Sequence, residues 1–306
     1  MNFQLQTIQS LCPGLEPKVI ESHLRRLDHE YTQRFNPAVI SEHLQHLCRL
    51  SPSNPAEVIL RAVDDRTVEC TILAFDHPFE LSLITGVLTG TGINIESGDV
   101  FTLPTVRRER ADPTVRRRRG TVPRVHDPHR DAVIIDRFVG QLSAATDTFD
   151  RWAARFNNSI TEVITLLEHS DKESVDKAKH RVNELVTERL ASLGARPAPM
   201  LYPVNLDMHQ IEASRTRIRI VAQDTPAFLY SLSTALSLHG LLIHRVRIRN
   251  ENGQACDEID LVDPTTQRSF DQAVLERIKL SVLLTKQFTY FLDRSPDPFT
   301  ALTRFE

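Results

Sequence analysis

The chain has 306 residues, a mass of 34.8 kDa and a net charge of −3, with 41% hydrophobic and 25% charged residues. This composition is typical of a soluble globular protein of two or three domains and excludes fibrous and largely disordered classes. No apolar run reaches the roughly 18 residues of a membrane helix. The first residues show no basic n-region and no long apolar h-region, and no Cys-x-x-Cys occurs. We therefore expect a cytoplasmic protein without a secretory signal, a membrane partner or a zinc site.

The first 55 residues are predicted to form an N-terminal helical segment, with a helix over Tyr31–Leu47. His43 and His46 stand one helical turn apart there and could chelate a metal from one face. No matching third ligand follows in the sequence. We therefore predict no metal site.

Residues 56–168 are predicted to form a first unit. Alternating apolar residues over 70–74 indicate a half-buried strand. Asp76-His77-Pro78 ends this strand, and a helix follows up to Gly92, because a helix C-terminus favours a residue at positive φ. The next strand is predicted over 93–101.

An arginine-rich loop is predicted over 103–131. It carries nine arginines against four acidic residues, which gives a local charge of +5. Four prolines and few apolar residues indicate an exposed, mobile segment between two strands. Two interpretations stand, a solvated loop and a contact with a polyanion or an acidic partner. The segment has no aromatic side chain to stack on bases and the rest of the chain is acidic, which argues against nucleic acid.

Two helices are predicted after the strand that follows this loop. Phe149 to Leu167 and Val175 to Leu190 both carry apolar residues at intervals of three and four. Ser170 or Asp171 is placed to cap the second helix, and Gly194 to end it. This second helix, in segment 169–196, is predicted to link the first unit to a second one.

Residues 197–292 repeat the first unit, and 293–306 remain as a C-terminal tail. The repeated positions include the turn, the helix and the glycine that follows it. The matched pairs, all 148 positions apart, are Asp76 with Asp224, Pro78 with Pro226, Leu88 with Leu236, Gly92 with Gly240 and Ile95 with Ile243. In the second copy Asn252-Gly253 predicts a hairpin, with a strand over 255–262 and a helix from near Phe270.

The order of elements in each copy is strand, helix, strand, strand, helix. This order leads toward the ferredoxin-like arrangement. We therefore predict an α+β protein of two ferredoxin-like (βαββαβ) units joined by a linker helix, preceded by the N-terminal helical segment. The fourth strand of each unit is not visible in the aligned part. Val204–Met208 is a candidate for an extra strand ahead of the second copy.

The strand, Asp-x-Pro turn, helix and Gly-apolar-x-Ile strand resemble the ACT domain, a small regulatory module that usually works in pairs. Residues 224–263 are more specifically similar to the tandem ACT repeats of PII-uridylyltransferases and glutamine-synthetase adenylyltransferase-like proteins, and Tyr31–Leu47 resembles the helix that precedes them. The resemblance implies allosteric sensing of an amino acid, with glutamine as the first candidate. It also implies ACT–ACT pairing within or between chains and a nucleotidyltransferase catalytic domain or chain as partner.

ACT pairs hold their effector between the Asp-x-Pro loop of one unit and a helix of its neighbour. In this chain that loop corresponds to Asp76, His77 and Pro78 in the first copy. In the second copy it corresponds to Asp224, Thr225, Pro226, Ala227, Phe228 and Leu229. The glycine that the family has after the proline is Phe79 in the first copy and Ala227 in the second. Glycine lets a backbone approach a ligand closely, so the second copy is the better candidate. The aspartates could also be helix N-caps only.

The resemblance does not extend to a catalytic site. The chain has no Gly-Ser dipeptide and no Asp-x-Asp, the phosphate- and metal-binding motifs of those enzymes, and its one His-Asp dipeptide is His126-Asp127 in the arginine-rich loop. We expect no catalytic residue and no cofactor in this chain. Two functions are compatible with the residues: an amino-acid-sensing regulatory module of a nitrogen-signalling nucleotidyltransferase, and a ligand-free ACT-type scaffold for protein–protein interaction, which Phe79 favours.

Overall fold

The computed structural model describes residues 2–27, 29–104, 131–143, 148–193, 203–251, 254–263 and 269–305. These residues form an α+β fold. In chain order its elements are α1 (Asn2–Leu11), α2 (Pro17–Arg26), α3 (His29–Arg34), α4 (Pro37–Leu47), β1 (Ala56–Ala62), β2 (Thr67–Phe75), α5 (Glu80–Thr91), β3 (Ile93–Leu103), β4 (Val133–Leu142), α6 (Phe149–Glu168), α7 (Lys172–Leu193), β5 (Asn205–Glu212), β6 (Arg215–Gln223), α8 (Phe228–Leu238), β7 (Leu242–Glu251), β8 (Gln254–Val262), α9 (Gln272–Leu292) and α10 (Pro298–Phe305).

The chain divides into two compact units. The first comprises Met1–Glu57, Ile72–Asp76 and Phe101–Ile135. Its helix predicted over Tyr31–Leu47 is two helices, because α4 starts anew at Pro37. The Asn36 side chain accepts a hydrogen bond from the Val39 N–H at 3.0 Å, and proline suits the first helical turn.

An aromatic cluster forms the core of this first unit. The rings of Tyr31, Phe35 and Phe101 lie with their centroids 4.9 to 5.8 Å apart. The Tyr31 hydroxyl lies 2.6 Å from His43 Nδ1, and His46 Nδ1 lies 2.6 Å from Glu57 Oε2. Both histidines that could have chelated a metal are thus engaged with protein side chains.

The second unit comprises Val58–Thr71, His77–Val100 and Asp136–Glu306. Over the described residues of the whole chain, eight strands follow the order β1-β2-β4-β3-β7-β8-β6-β5 in one sheet, and β5 to β8 belong entirely to this second unit. The pairs β5–β6, β6–β8 and β7–β8 are antiparallel, and Ile259 lies opposite Ile218 on one side and Val246 on the other. All three of these side chains are buried.

The predicted strand order βαββαβ needs a correction. In each copy the additional strand comes first, as β1 and β5, so the order is ββαββα. Strand β5 confirms the extra strand expected over Val204–Met208, and it pairs with β6 at the edge of the sheet. The edge strand of a sheet has a row of unpaired backbone N–H and C=O groups. A strand that comes just before β6 in the chain can pair with these groups as well as a strand that follows α9.

Two glycines of α5 allow this helix to pack closely against α7, a role that was not predicted from the sequence. A Cβ atom at Gly86 would lie 2.2 Å from Val182 Cγ1, and one at Gly90 would lie 2.5 Å from Leu185 Cβ. Because neither distance leaves room for a methyl group, α7 depends on these glycines for its position. The Tyr230 hydroxyl donates to Asn183 Oδ1 at 2.8 Å and connects α8 to the same helix.

Other predictions for these elements are confirmed. The apolar stripes of α6 and α7 are buried from Trp152 to Leu167 and from Ala178 to Leu190. Asp171 caps α7 by accepting the Ser174 N–H at 2.9 Å. Gly92 and Gly240 follow helices α5 and α8 at positive φ. Most of the arginine-rich loop (residues 105–130), Asn252-Gly253 and Gly194 lie outside the described residues.

Candidate functional site

The two Asp-x-Pro segments form turns of the same geometry. Asp76 directly follows β2, and Asp224 directly follows β6. The Glu80 N–H donates to His77 O, and the Phe228 N–H donates to Thr225 O, both at 3.2 Å. With proline at the second position and positive φ at the third, these turns have the character of type II turns.

The aspartates are not N-caps, which corrects that expectation. Helices α5 and α8 begin four residues after Asp76 and Asp224, and the N-cap positions are occupied by Phe79 (φ 67°) and Ala227 (φ 58°). The turn inserts a left-handed residue between the proline and the helix, and this moves the helix start beyond the reach of an aspartate cap. A type II turn prefers glycine at this position, so both copies carry a strained residue there.

The loop of the first copy is closed by other parts of the second unit. His77 Nε2 lies 2.9 Å from Glu168 Oε1 at the end of α6, and both side chains are almost fully buried. The Lys179 ammonium of α7 lies 4.0 Å from the centroid of the Phe79 ring. These contacts occupy both the polar and the apolar side chains of the loop.

The loop of the second copy lies in a different environment. All six residues from Asp224 to Leu229 line a cavity of about 460 Å³. Gly92–Ile95 at the start of β3 and Arg189 near the end of α7 form other parts of its wall. None of the first-copy candidates Asp76, His77 and Pro78 belongs to this wall. The structure therefore brings one of the two predicted loops to a cavity.

Asp257 is a residue of this cavity that sequence reasoning missed. It lies on β8 and is only 3% exposed, and its Oδ1 atom has no hydrogen-bond partner among the residues that the structure describes. Burial raises the pKa of Asp257 to about 7; the Lys286 charge opposes this rise, the Asp224 charge adds to it, and a backbone hydrogen bond from Arg249 opposes it. The site thus contains a carboxyl group that is costly to ionise.

Lys286 of α9 lies behind the loop and is 1% exposed. Its ammonium donates to Thr225 Oγ1 at 3.0 Å, lies 3.9 Å from the centroid of the Phe228 ring and is attracted by Asp224 and Asp257. Burial nevertheless lowers its pKa to about 8. Lys286 therefore connects α9 to two residues of the loop.

The first copy has apolar residues where the second has these two charges. At the offset of 124 that aligns Ile135-Asp136 with Ile259-Asp260, Asp257 corresponds to the buried Val133. The buried faces of α6 and α9 match at an offset of 122, where Phe156 corresponds to Ile278 and Ile164 to Lys286. A buried aspartate and a buried lysine thus distinguish the second copy.

In the ranges that the structure describes, no three His, Cys, Asp or Glu side chains converge closely enough to hold a metal ion. Over the same residues, no helix is long and apolar enough to span a membrane.

No protein-family model matches the chain. Over 214 residues it is 26% identical to a bifunctional uridylyltransferase/uridylyl-removing enzyme of Bradyrhizobium diazoefficiens strain USDA 110. The match covers 67% of this chain and 19% of that enzyme, so it spans about a fifth of the relative's length. A crystal structure of aspartate kinase from Synechocystis aligns with 69% of this chain and 26% of its own, at 12% identity and a TM-score of 0.28, which is too low to establish a common fold. The first similarity agrees with the resemblance drawn from the Asp-x-Pro motifs.

Proposed function

We propose that this chain is a regulatory region of the ACT type that binds an amino acid at its second Asp-x-Pro loop and controls a nucleotidyltransferase, either as part of the same protein or as a separate catalytic chain. Glutamine is the first candidate effector. The observation that carries this proposal is the cavity, because every predicted loop residue from Asp224 to Leu229 contributes to its wall. The similarity to a uridylyltransferase supports the nitrogen-signalling assignment.

The loop offers chemistry suited to the carboxylate of an amino acid. It leads directly into α8, an eleven-residue helix that begins at Phe228. Backbone N–H groups and the positive end of the helix dipole favour an anion at such a helix start. Ala227 directly precedes this helix, and it adds only a methyl group at a position where the family that the sequence resembles has glycine.

An effector in this cavity would connect separate elements of the second unit. Thr225 ties the loop to α9. Its hydroxyl lies 2.9 Å from the Thr289 hydroxyl and accepts a hydrogen bond from the Lys286 ammonium. Arg189 of α7 also lines the cavity. A ligand that touches both the loop and α7 would favour the arrangement in which the two are at binding distance, and this differential affinity is what allosteric control requires.

The proposal is tested by thermal unfolding of the full chain with each of the twenty amino acids. A ligand that binds only the folded state stabilises it by about 2.7 kcal/mol at a hundredfold excess over its dissociation constant. We expect glutamine to raise the unfolding temperature of the wild type. This rise should be lost in Ala227→Trp, because the larger side chain would occupy space in the cavity. Phe79→Trp is the matched control, since it changes the same turn position in the first copy and should keep the shift.

The second candidate is a ligand-free scaffold in which ACT-type units pair within or between chains. The closed first loop favours it, because His77 and Phe79 are already engaged by Glu168 and Lys179. The absence of a shift with every amino acid would support this scaffold over the sensor. Equal shifts in wild type and Ala227→Trp would place the effector elsewhere.

A further inference from the structure

Asp257 occupies a position where the fold expects an apolar residue. Ala255, Asp257, Ile259 and Leu261 are all buried and face the same side of the sheet. A carboxylate on this side leaves water for a low-dielectric interior, which is unfavourable unless a partner compensates it. The backbone N–H of Arg249 supplies one hydrogen bond, while Oδ1 receives none from the described part of the chain.

In the described structure, the ammonium group of the nearby Lys286 does not hydrogen-bond to Oδ1 of Asp257. Among the described hydrogen bonds, Lys286 directs its ammonium to Thr225 Oγ1, and the ring of Phe228 covers it. Asp257 belongs to the cavity wall, so a ligand bound in the cavity can bring a donor to this side chain. A positively charged donor would compensate the buried carboxylate, for which the described residues give Oδ1 no hydrogen-bond partner.

Three kinds of cation can be compared at this oxygen. A divalent metal needs several ligands, and no three candidate side chains converge in the described part of the chain. A guanidinium binds best to two free oxygens of one carboxylate, whereas here one oxygen lacks a partner. A primary ammonium group needs only one charged acceptor, and its other N–H donors can be satisfied by hydroxyl or carbonyl oxygens.

We infer that the ligand of this cavity carries a primary ammonium group and that Asp257 is the residue that receives it. This inference rests on the proposed function in that it takes the cavity to be an effector site. It adds the chemistry that selects the ligand: the start of α8 accepts an anionic group, and Asp257 accepts the cationic one. Val133, at the corresponding position of the first copy, offers no such acceptor.

The inference is tested by calorimetric titration of the full chain with amino acids and with their des-amino analogues, for example glutamine and glutaramate. Putrescine serves as an amine that is not an amino acid. The variant Asp257→Asn keeps the shape of the side chain. Glu258→Gln is the control, because Glu258 is the next residue of β8, faces the other side of the sheet and pairs there with Arg247.

We expect the wild type to prefer the amino acid over its des-amino analogue by about 10- to 150-fold, the range of a hydrogen bond to a charged group. In Asp257→Asn this ratio should fall close to one, whereas Glu258→Gln should keep it. A purely structural role for Asp257 would weaken both ligands equally and leave the ratio unchanged, which would overturn the inference. If the wild type binds the amino acid and its des-amino analogue with equal affinity, that result alone would overturn the inference.

The same titrations separate this inference from the proposed function. If putrescine binds the wild type through Asp257 but no amino acid does, the ammonium site stands and the amino-acid sensor fails. If an amino acid binds and Asp257→Asn still discriminates against its des-amino analogue, the sensor stands and the role of Asp257 fails. If neither amino acids nor putrescine bind the wild type, both are refuted.

Discussion

Asp257→Asn should make the ligand-free protein more stable at neutral and alkaline pH. Burial raises the pKa of Asp257 from 3.8 to about 7, and a shift of about three units corresponds to roughly 4 kcal/mol of cost for the ionised form. Asparagine cannot ionise and avoids this cost, which already includes the attraction of Lys286. Its buried amide needs hydrogen-bond partners of its own, which costs about 1–3 kcal/mol. We therefore expect a net gain of about 1–3 kcal/mol in the free energy of unfolding at pH 8.

The sign of the pH dependence follows from the direction of the shift. Because the folded-state pKa lies above the unfolded one, the folded protein binds the proton more tightly. Below about pH 3 the carboxyl group is protonated in both states, and the variant should have no advantage there. The groups that act on Asp257 are Lys286 from α9, Asp224 from the loop and the backbone of Arg249 from β7. The advantage of the variant should grow as the pH rises from about 4 to 7.

Urea unfolding followed by circular dichroism at pH 4.5, 6 and 8 measures this difference. Glu258→Gln, which changes a partly exposed side chain on the other side of the same strand, should change stability by less than about 0.5 kcal/mol. A difference between wild type and Asp257→Asn that is the same at every pH would show that ionisation is not its cause. A variant less stable than wild type at pH 8 would refute the buried-charge argument.

Three further predictions concern packing, backbone strain and catalysis. Gly90→Ala should lower the free energy of unfolding by about 1–3 kcal/mol, because the new Cβ would lie 2.5 Å from Leu185 Cβ; Gly14→Ala, whose Cβ would meet no atom within 4 Å, should be nearly neutral in the same urea titration. Ala227→Gly should raise the free energy of unfolding by up to about 1 kcal/mol, because φ is 58° there, and a lower unfolding midpoint would contradict this. The purified chain should not consume ATP or UTP in the presence of magnesium, and turnover abolished by an Asp→Ala substitution would refute that expectation.

The sequence predicted the turns and the helices that flank the site better than the strands at the sheet edges. The constant offset of 148 placed Asp76 and Asp224 at equivalent turns, since proline and glycine restrict the backbone wherever they occur. The start of α8 was placed too early because a left-handed residue after proline was not considered. Strand β1 was missed altogether, since pairing with β2 rather than a local pattern defines it.

Helix α9 shows why the polar part of the site was missed. Hydrophobicity alone orients Leu280, Leu284 and Phe291 toward the core, yet these residues are 53 to 60% exposed. The face that is buried carries Lys286 and Thr289 instead, because they pair with the loop. The signal for Asp257 was present, since an aspartate at the inward phase of the predicted strand 255–262 breaks the apolar alternation.

The asymmetry between the two copies bears on why a buried charge persists in one of them. Val133 and Ile164 are fully buried and apolar in the first copy, which shows that these positions need no charge for the strand and helix to pack. Exchanging a buried ion pair for apolar residues is often neutral or stabilising. Asp257 and Lys286 are therefore not required by the architecture of the second copy. They lie beside the loop that lines the cavity, so under the proposed function their cost in stability is the cost of a binding site, as expected where function opposes stability.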